Sequence, residues 1–278
     1  MKKAIVFLLS LCLIITIISV DAGAATKKSD VVILINGESF APPAPMVVKS
    51  GTTYVPLRAF CEVIEPSSQI TWDKETKTAM VSAENLELQV TIDQKYLIAN
   101  ERYLYIPDGC FSVDGNIMVP VRQLAKAYGA TVEWDGKTKT ITITSGGPPI
   151  EHGEIYYNQD DVFWLSRIIY AESGAESLDG QIGVGNVVLN RVASKDFPDT
   201  IYDVIFDTQF GIQFTPISNG AIYRTPTEQC EIAAKLALDG AITVKDSLFF
   251  VNASLATNSW IMDNCKYVTT IGGHSFYA

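Results

Sequence analysis

The sequence predicts an α+β chain, in which a small α+β domain of two similar repeats precedes a mainly helical domain. Three observations carry this reading. A segment of the first half recurs with the same grammar of proline, helical stripe, turn and alternating strand. A glycine- and proline-rich stretch near the middle interrupts both periodicities. Beyond it, apolar residues fall at helical spacing. The length of 278 residues suits about two domains of ordinary size, and 47% hydrophobic with 19% charged residues leaves no room for long disorder.

Residues 1–24 read as an export leader: Lys2 and Lys3, an apolar run from Ala4 to Val20, then Ala22-Gly23-Ala24-Ala25. The run approaches membrane-spanning length, but the small-residue exit favours cleavage over an anchor. Leu11 stands before Cys12 where a lipidation signal needs a small residue, and the apolar run continues past it. Cleavage removes Lys2, Lys3 and Asp21 and leaves 19 basic against 30 acidic residues. That balance argues against nucleic acid, whose binding draws on phosphate neutralisation, and no membrane role is expected after cleavage. A polymer held by this chain is recognised by hydrogen bonds and ring stacking. Cys61, Cys110, Cys230 and Cys265 remain. An exported protein permits disulfides between them, and the alternative is four small buried hydrophobes. Without a CxxC spacing, a thioredoxin-like or zinc-ribbon role is not expected.

The first domain is expected over residues 30–145. Val55-Pro56-Leu57-Arg58 falls on Val119-Pro120-Val121-Arg122 at an offset of 64, and Trp72-Asp73 and Lys77-Thr78 fall on Trp134-Asp135 and Lys139-Thr140 at 62. Each copy places proline at a helix start and follows it with a stripe: Leu57, Phe60, Cys61 and Ile64, then Val121, Leu124, Ala125 and Tyr128. Gly129 suits the end of the second helix. Between the copies Leu86, Leu88, Val90 and Ile92 alternate as a strand with one buried face. Two copies are too few for a solenoid. Arg58 and Arg122, beside the helix starts, read as orienting charges or partners of a neighbouring acid. The "VPLR" motif with its "W-D-x-x-T-K" turn resembles the copper amine oxidase N-terminal-like domain. Copper is not expected, because the only histidines are His152 and His274, outside this segment, and no other cofactor is implied.

The stretch "SGGPPIEHGE" opens a linker assigned to residues 146–157, and the second domain follows over 158–278. Asp160 and Asp161 can cap or stabilise a helix whose stripe runs Val162, Leu165, Ile168 and Ile169. Continued, that stripe reaches Glu172. A lone carboxylate on an apolar face raises its pKa and holds a proton, which suits a general acid. The competing role is a structural one, paired with Arg167 or Arg191 or with backbone donors. Gly174 ends the helix and Ser177 caps the next, so Glu176 sits beside a helix start, where a carboxylate stabilises that end. The next helix, about Leu178 to Val192, is apolar around its circumference and should be central. Gly183 and Gly185 allow another element close, and Asn186 and Asn190 need internal partners.

"YAESGAESLDGQIGVGNVVLNRV" resembles the signature of the cell-wall hydrolases that include the spore cortex-lytic enzymes of the SleB and CwlJ type. Further matches follow in order: "FPDTIYDVIF", "QFTPISNG", "TPTEQCEIAAKLALDG", "LFFVNA" and "IGGHSFY". The resemblance spans about Phe163 to Ala278. It implies a lysozyme-like fold, peptidoglycan glycan strands as partner, and Glu172 as the catalytic acid. In this scheme Glu172 protonates the oxygen between N-acetylmuramic acid and N-acetylglucosamine. Its carboxylate then takes the proton of the muramic acid 6-hydroxyl, closing a 1,6-anhydro ring, so no second catalytic carboxylate is required. Carried over as substrate-binding positions are Glu176, Gln213, Thr215, Asn252 and His274, with Phe214 and Tyr223 as sugar-stacking rings. Thr215-Pro216 stands where some relatives have Ser-Cys, which touches groove detail and leaves the acid unaffected.

Two other functions compete. A metal-dependent amidase lacks HExxH and has too few histidines. A non-catalytic wall-binding protein, with Glu172 structural, differs in class and is separated by assay, as is a hydrolytic muramidase. An exported, wall-associated protein is expected. The sequence chooses neither vegetative wall nor spore cortex, and gives no oligomeric state.

Overall fold

The two copies of the repeat meet edge to edge. Strand Thr52–Pro56 of the first pairs antiparallel with Asn116–Pro120 of the second, Val55 opposite Val119, so the "VP" dipeptides lie about a local two-fold. The structure is a computed structural model that describes residues 27, 28, 30–209, 213–254, 256 and 259–278. The expected leader, 1–24, lies outside the described residues. From the paired strands spring helices α1 (Leu57–Ile64) and α2 (Val121–Ala127), each with proline at its N-cap. They bury Leu57, Phe60 and Cys61, and Val121, Leu124 and Ala125.

The recurrent "W-D-x-x-T-K" is a turn. Asp73 Oδ1 accepts from the Glu75 and Thr76 amides at 2.8 and 3.4 Å, and Asp135 Oδ1 from Lys137 and Thr138 at the same distances. Lys77 and Lys139 both take the left-handed conformation, φ 52°. These hydrogen bonds hold both carboxyls below their usual pKa. The strand read between the copies is Leu86–Thr91, central in a five-stranded antiparallel meander that runs from Gln69–Asp73 to Arg102–Tyr105. Strand Thr140–Thr144 pairs parallel with Val32–Ile35. Arg58 lies 3.6 Å from Glu62 on an exposed face.

The linker residues pack against the first domain. Ile150 is buried, its amide bonds to Ala127 O at 3.0 Å, and Gly153 N bonds to Asn100 O at 2.7 Å. Gly129 (φ +67°) ends α2 where a Cβ would clash with Pro148 O. A short helix α3 (Gly153–Tyr156) then leads into the second domain.

That domain is helical as expected. It comprises α4 (Gln159–Ser173), α5 (Leu178–Ala193), α6 (Ile201–Phe206), α7 (Thr215–Ser218), α8 (Glu228–Leu238) and α9 (Trp260–Asn264), with a C-terminal sheet of Phe249–Val251, His274–Tyr277 and Tyr267–Ile271. Asn158, rather than Asp160 or Asp161, caps α4, its Oδ1 accepting from both aspartate amides at 2.9 and 3.3 Å. The two aspartates occupy the first turn, where negative charge suits the helix dipole. Gly174 closes α4 and Ser177 caps α5, as the sequence implied. Leu165, Ile168, Ile169 and Ile182 form a core with Ala233 and Ala234 of α8. Asn186 Nδ2 donates to Ala241 O (2.7 Å), and Asn190 Nδ2 to Lys245 and Ser247 carbonyls (2.8 and 2.9 Å).

A Cβ on Gly183 would lie 2.9 Å from both Phe276 Cζ and Val244 Cγ1, so the last strand packs directly on the α5 backbone. Gly183→Ala is therefore expected to lower stability by about 1–2 kcal/mol, overpacking outweighing the gain in helix propensity. Urea unfolding checks this, and an unchanged midpoint contradicts it.

No pairing occurs among Cys61, Cys110, Cys230 and Cys265. The first three are buried as small hydrophobes, and burial pushes the Cys61 and Cys110 thiols up to about 11 and about 12.

Candidate active site

Glu172 occupies the last turn of α4, one residue before Ser173 ends it. Helix phase turns it inward after Ile168 and Ile169, and the chain breaks at Gly174 before Glu176 can share its face. Among the described residues Glu172 has no hydrogen-bond or ion-pair partner. Arg167 instead donates to Phe163 O at 3.2 Å and stacks over the Phe163 ring. Arg191 donates through Nε to Leu248 O at 2.8 Å and lies among the rings of Phe197, Phe214 and Phe249. Neither arginine neutralises the acid. Burial pushes the Glu172 carboxyl up to about 7. A pKa near 7 leaves the group able to hold a proton and donate it close to neutral pH.

Glu176 is held differently. The turn between the last two strands closes over it, and Gly273 N donates to its Oε1 at 3.1 Å. Gly272 has φ +57°, and any Cβ there would strike the Glu176 carboxylate, so glycine is required on both counts. His274 Nδ1 lies 3.8 Å from the same oxygen, is buried, and has no hydrogen-bond partner among the described residues. Burial lowers the imidazole pKa from its ordinary value, and the neighbouring Glu176 partly opposes this. Glu176 thus ties the α4–α5 junction to the C-terminal hairpin.

Glu172 and Glu176 line two cavities. The larger, about 1290 Å³, also takes in Gln213, Phe214, Thr215, Asn252 and His274. The smaller, about 500 Å³, runs past Tyr170 and Gly174 to Ala221 and Arg224. The acid therefore stands where two stretches of groove meet. Asn252 Oδ1 takes two hydrogen bonds from Ser254, at 3.1 and 2.6 Å, which orients its amide. Thr215 is exposed at the start of α7.

The two rings expected to stack on sugar are placed differently from the other groove residues. Phe214 is only 2% exposed and belongs to the core, packed against Phe250 at 6.4 Å between ring centroids, so it lines the larger cavity with almost no exposed ring surface. Tyr223 is 67% exposed but lines neither cavity beside Glu172. Sequence reasoning missed Trp260, 57% exposed on the larger cavity, and Phe249 beneath it. An indole in the polar segment "TNSWIMD" was the available signal. It also missed Arg191 as a groove residue. Burial lowers its pKa to about 10, against the pull of Asp207.

Fold and site define a two-domain protein, a repeat module joined to a helical domain with a groove around one unpaired acid. Residues 34–151 match the family model of the copper amine oxidase N-terminal domain, and residues 175–277 match that of the Cell Wall Hydrolase family. The match begins after Glu172 and includes Glu176. The first family's name brings no copper site, since residues 34–151 contain no histidine. A spore cortex-lytic enzyme of Bacillus cereus is 36% identical over 120 residues, 43% of this chain and 45% of the relative. One from Oceanobacillus iheyensis is 26% identical over 201 residues, 72% of this chain and 65% of the relative. The chain thus spans less than two thirds of either. The solved catalytic domain of the germination-specific lytic transglycosylase SleB from Bacillus anthracis is 34% identical, covering 46% of this chain and 100% of that one, with a TM-score of 0.41.

Proposed function

We propose that this chain is an exported peptidoglycan-degrading enzyme that cleaves the bond between N-acetylmuramic acid and N-acetylglucosamine as a lytic transglycosylase. The observation that carries this reading is the unpaired Glu172, its pKa raised by burial, where two cavities meet, with the neighbouring acid Glu176 bound to Gly273 N. One acid suffices when the substrate supplies the nucleophile. Glu172 gives its proton to the glycosidic oxygen, the C1–O bond breaks, and positive charge develops on the muramic ring. The resulting carboxylate accepts the proton of the C6 hydroxyl as that oxygen bonds to C1. The names of the relatives support the substrate class. Gln213, Thr215, Asn252 and Trp260 are assigned to hold the sugars, and Glu176 with His274 to hold the junction that carries the acid.

Mass spectrometry of muropeptides released by the full chain tests the route. Anhydromuramic ends are expected. Reducing muramic ends would overturn transglycosylation in favour of hydrolysis, and no release would favour a binding module. The same digestion run on cortex and on vegetative sacculi assigns the layer attacked.

A further inference from the structure

A cluster of exposed rings lies beside the smaller cavity, outside the site assigned above. Trp164 on α4 is its hub, with ring centroids of Phe163, Tyr202, Phe206 and Tyr223 at 4.9, 5.3, 5.1 and 6.5 Å. Three of these rings face solvent: Phe163 is 43%, Tyr202 48% and Tyr223 67% exposed. Scattered surface aromatics need no explanation, but a contiguous set drawn from α4, α6 and the turn Ala221–Tyr223 does. Arg167 adds a guanidinium stacked 3.5 Å from the Phe163 centroid.

The face continues the groove. Ala221 and Arg224, which bracket Tyr223, line the cavity that holds Glu172. Phe163 and Glu172 lie on the same helix, about 13 Å apart along its axis. A strand leaving the acid through the smaller cavity would run toward Ala221 and Arg224, which flank Tyr223 in sequence.

We propose that this aromatic face is a distal glycan-binding platform, taking the sugar rings of an N-acetylated amino-sugar strand beyond the Glu172 cavity. The proposal rests on reading the groove as a glycan site. Pyranose rings present C–H faces that pack on exposed aromatic faces, while Arg167 and Arg224 supply donors for hydroxyl and amide oxygens. The net charge of −10 opposes the alternative of an anionic bilayer docked through these rings. The platform also gives Tyr223 the stacking role expected of it, displaced from the acid.

The test uses the full chain carrying Glu172→Gln, so that binding is read without turnover. Isothermal titration compares soluble uncrosslinked glycan strands with a tetrasaccharide, before and after Tyr202→Ala with Tyr223→Ala. Both tyrosines are exposed, and the core rings Trp164 and Phe206 stay in place. Affinity for long strands is expected to fall about tenfold while that for the tetrasaccharide changes less than twofold. Unchanged affinity for long strands overturns the platform alone. Equal loss for both ligands also overturns it, because the rings would then shape the groove at the acid. A parent that binds neither ligand overturns the glycan reading of the whole domain together with this one. Loss of vesicle binding or of self-association on ring removal, with glycan affinity unchanged, assigns the face to another occupant.

Discussion

Glu172→Gln is expected to lower the rate of peptidoglycan clearing about 10³-fold while leaving the fold intact. Glutamine keeps the shape of the side chain and loses the proton that the leaving oxygen needs. The pH profile should expose the same group. Burial raises its pKa from 4.5 to about 7, so the acid form, and with it kcat/KM, declines as pH rises through about 7. Stability moves in a linked way. Below pH 4.5 the carboxyl is protonated in both folded and unfolded chains, and its burial carries no ionisation penalty. Between 4.5 and about 7 the unfolded chain releases the proton while the folded one retains it, so stability falls across that window, by at most about 3 kcal/mol. Glu172→Gln removes this penalty. The variant should therefore melt higher than the parent at pH 8 and no differently at pH 4. Equal clearing by variant and parent removes Glu172 from the chemistry, and equal melting at both pH values removes the buried-acid argument.

Much of this arrangement was legible because it is written in local spacing. The stripe Leu165, Ile168, Ile169 set the phase that turned Glu172 inward, and Gly174 followed by Ser177 separated it from Glu176. The repeat was legible because proline, arginine, tryptophan and aspartate recur in the same order, and the aspartate turn has a local hydrogen-bond cause. What escaped depends on distant chain segments. Phe214 was expected as a sugar-stacking ring, yet Arg191 and Phe250 enclose it from elements before and after it in sequence. The contact of Glu176 with Gly273 spans 97 residues, beyond any pattern in the sequence. Glycine and proline in "SGGPPI" marked a break in periodicity but said nothing of Ile150 packing back against the first domain.

The contact between the domains is of that distant kind, and Asp239 is its centre. This residue follows α8, and its side chain is 1% exposed. Its carboxylate accepts from Arg102 Nη2 (2.5 Å) and Nε (3.2 Å), from Tyr157 Oη (2.6 Å) and from Lys126 Nζ (3.1 Å). A carboxylate at a helix C-terminus opposes the dipole, and the two cations from the first domain offset it. A second anchor lies nearby. Asp179, in the first turn of α5, takes Tyr105 Oη at 2.8 Å and Lys95 Nζ at 2.5 Å. Tyr96, Tyr103 and Tyr105 pack into the helical core between them. The repeat domain thus grips both α8 and the start of α5, two residues after the Glu176–Ser177 junction. Asp239→Ala strands the buried Arg102 guanidinium without its anion, a change worth about 3–5 kcal/mol. For a chain of this size the melting temperature should drop by about 10 °C, with the single unfolding transition splitting in two as the domains uncouple. Replacing the pair together, Asp239→Leu with Arg102→Met, should recover much of the loss, because the isolated charge is gone. Calorimetry of the three proteins decides the matter. A single variant that melts with the parent, or a double variant no better than the single, would show that the domains are held by the tyrosine face and Asp179 alone.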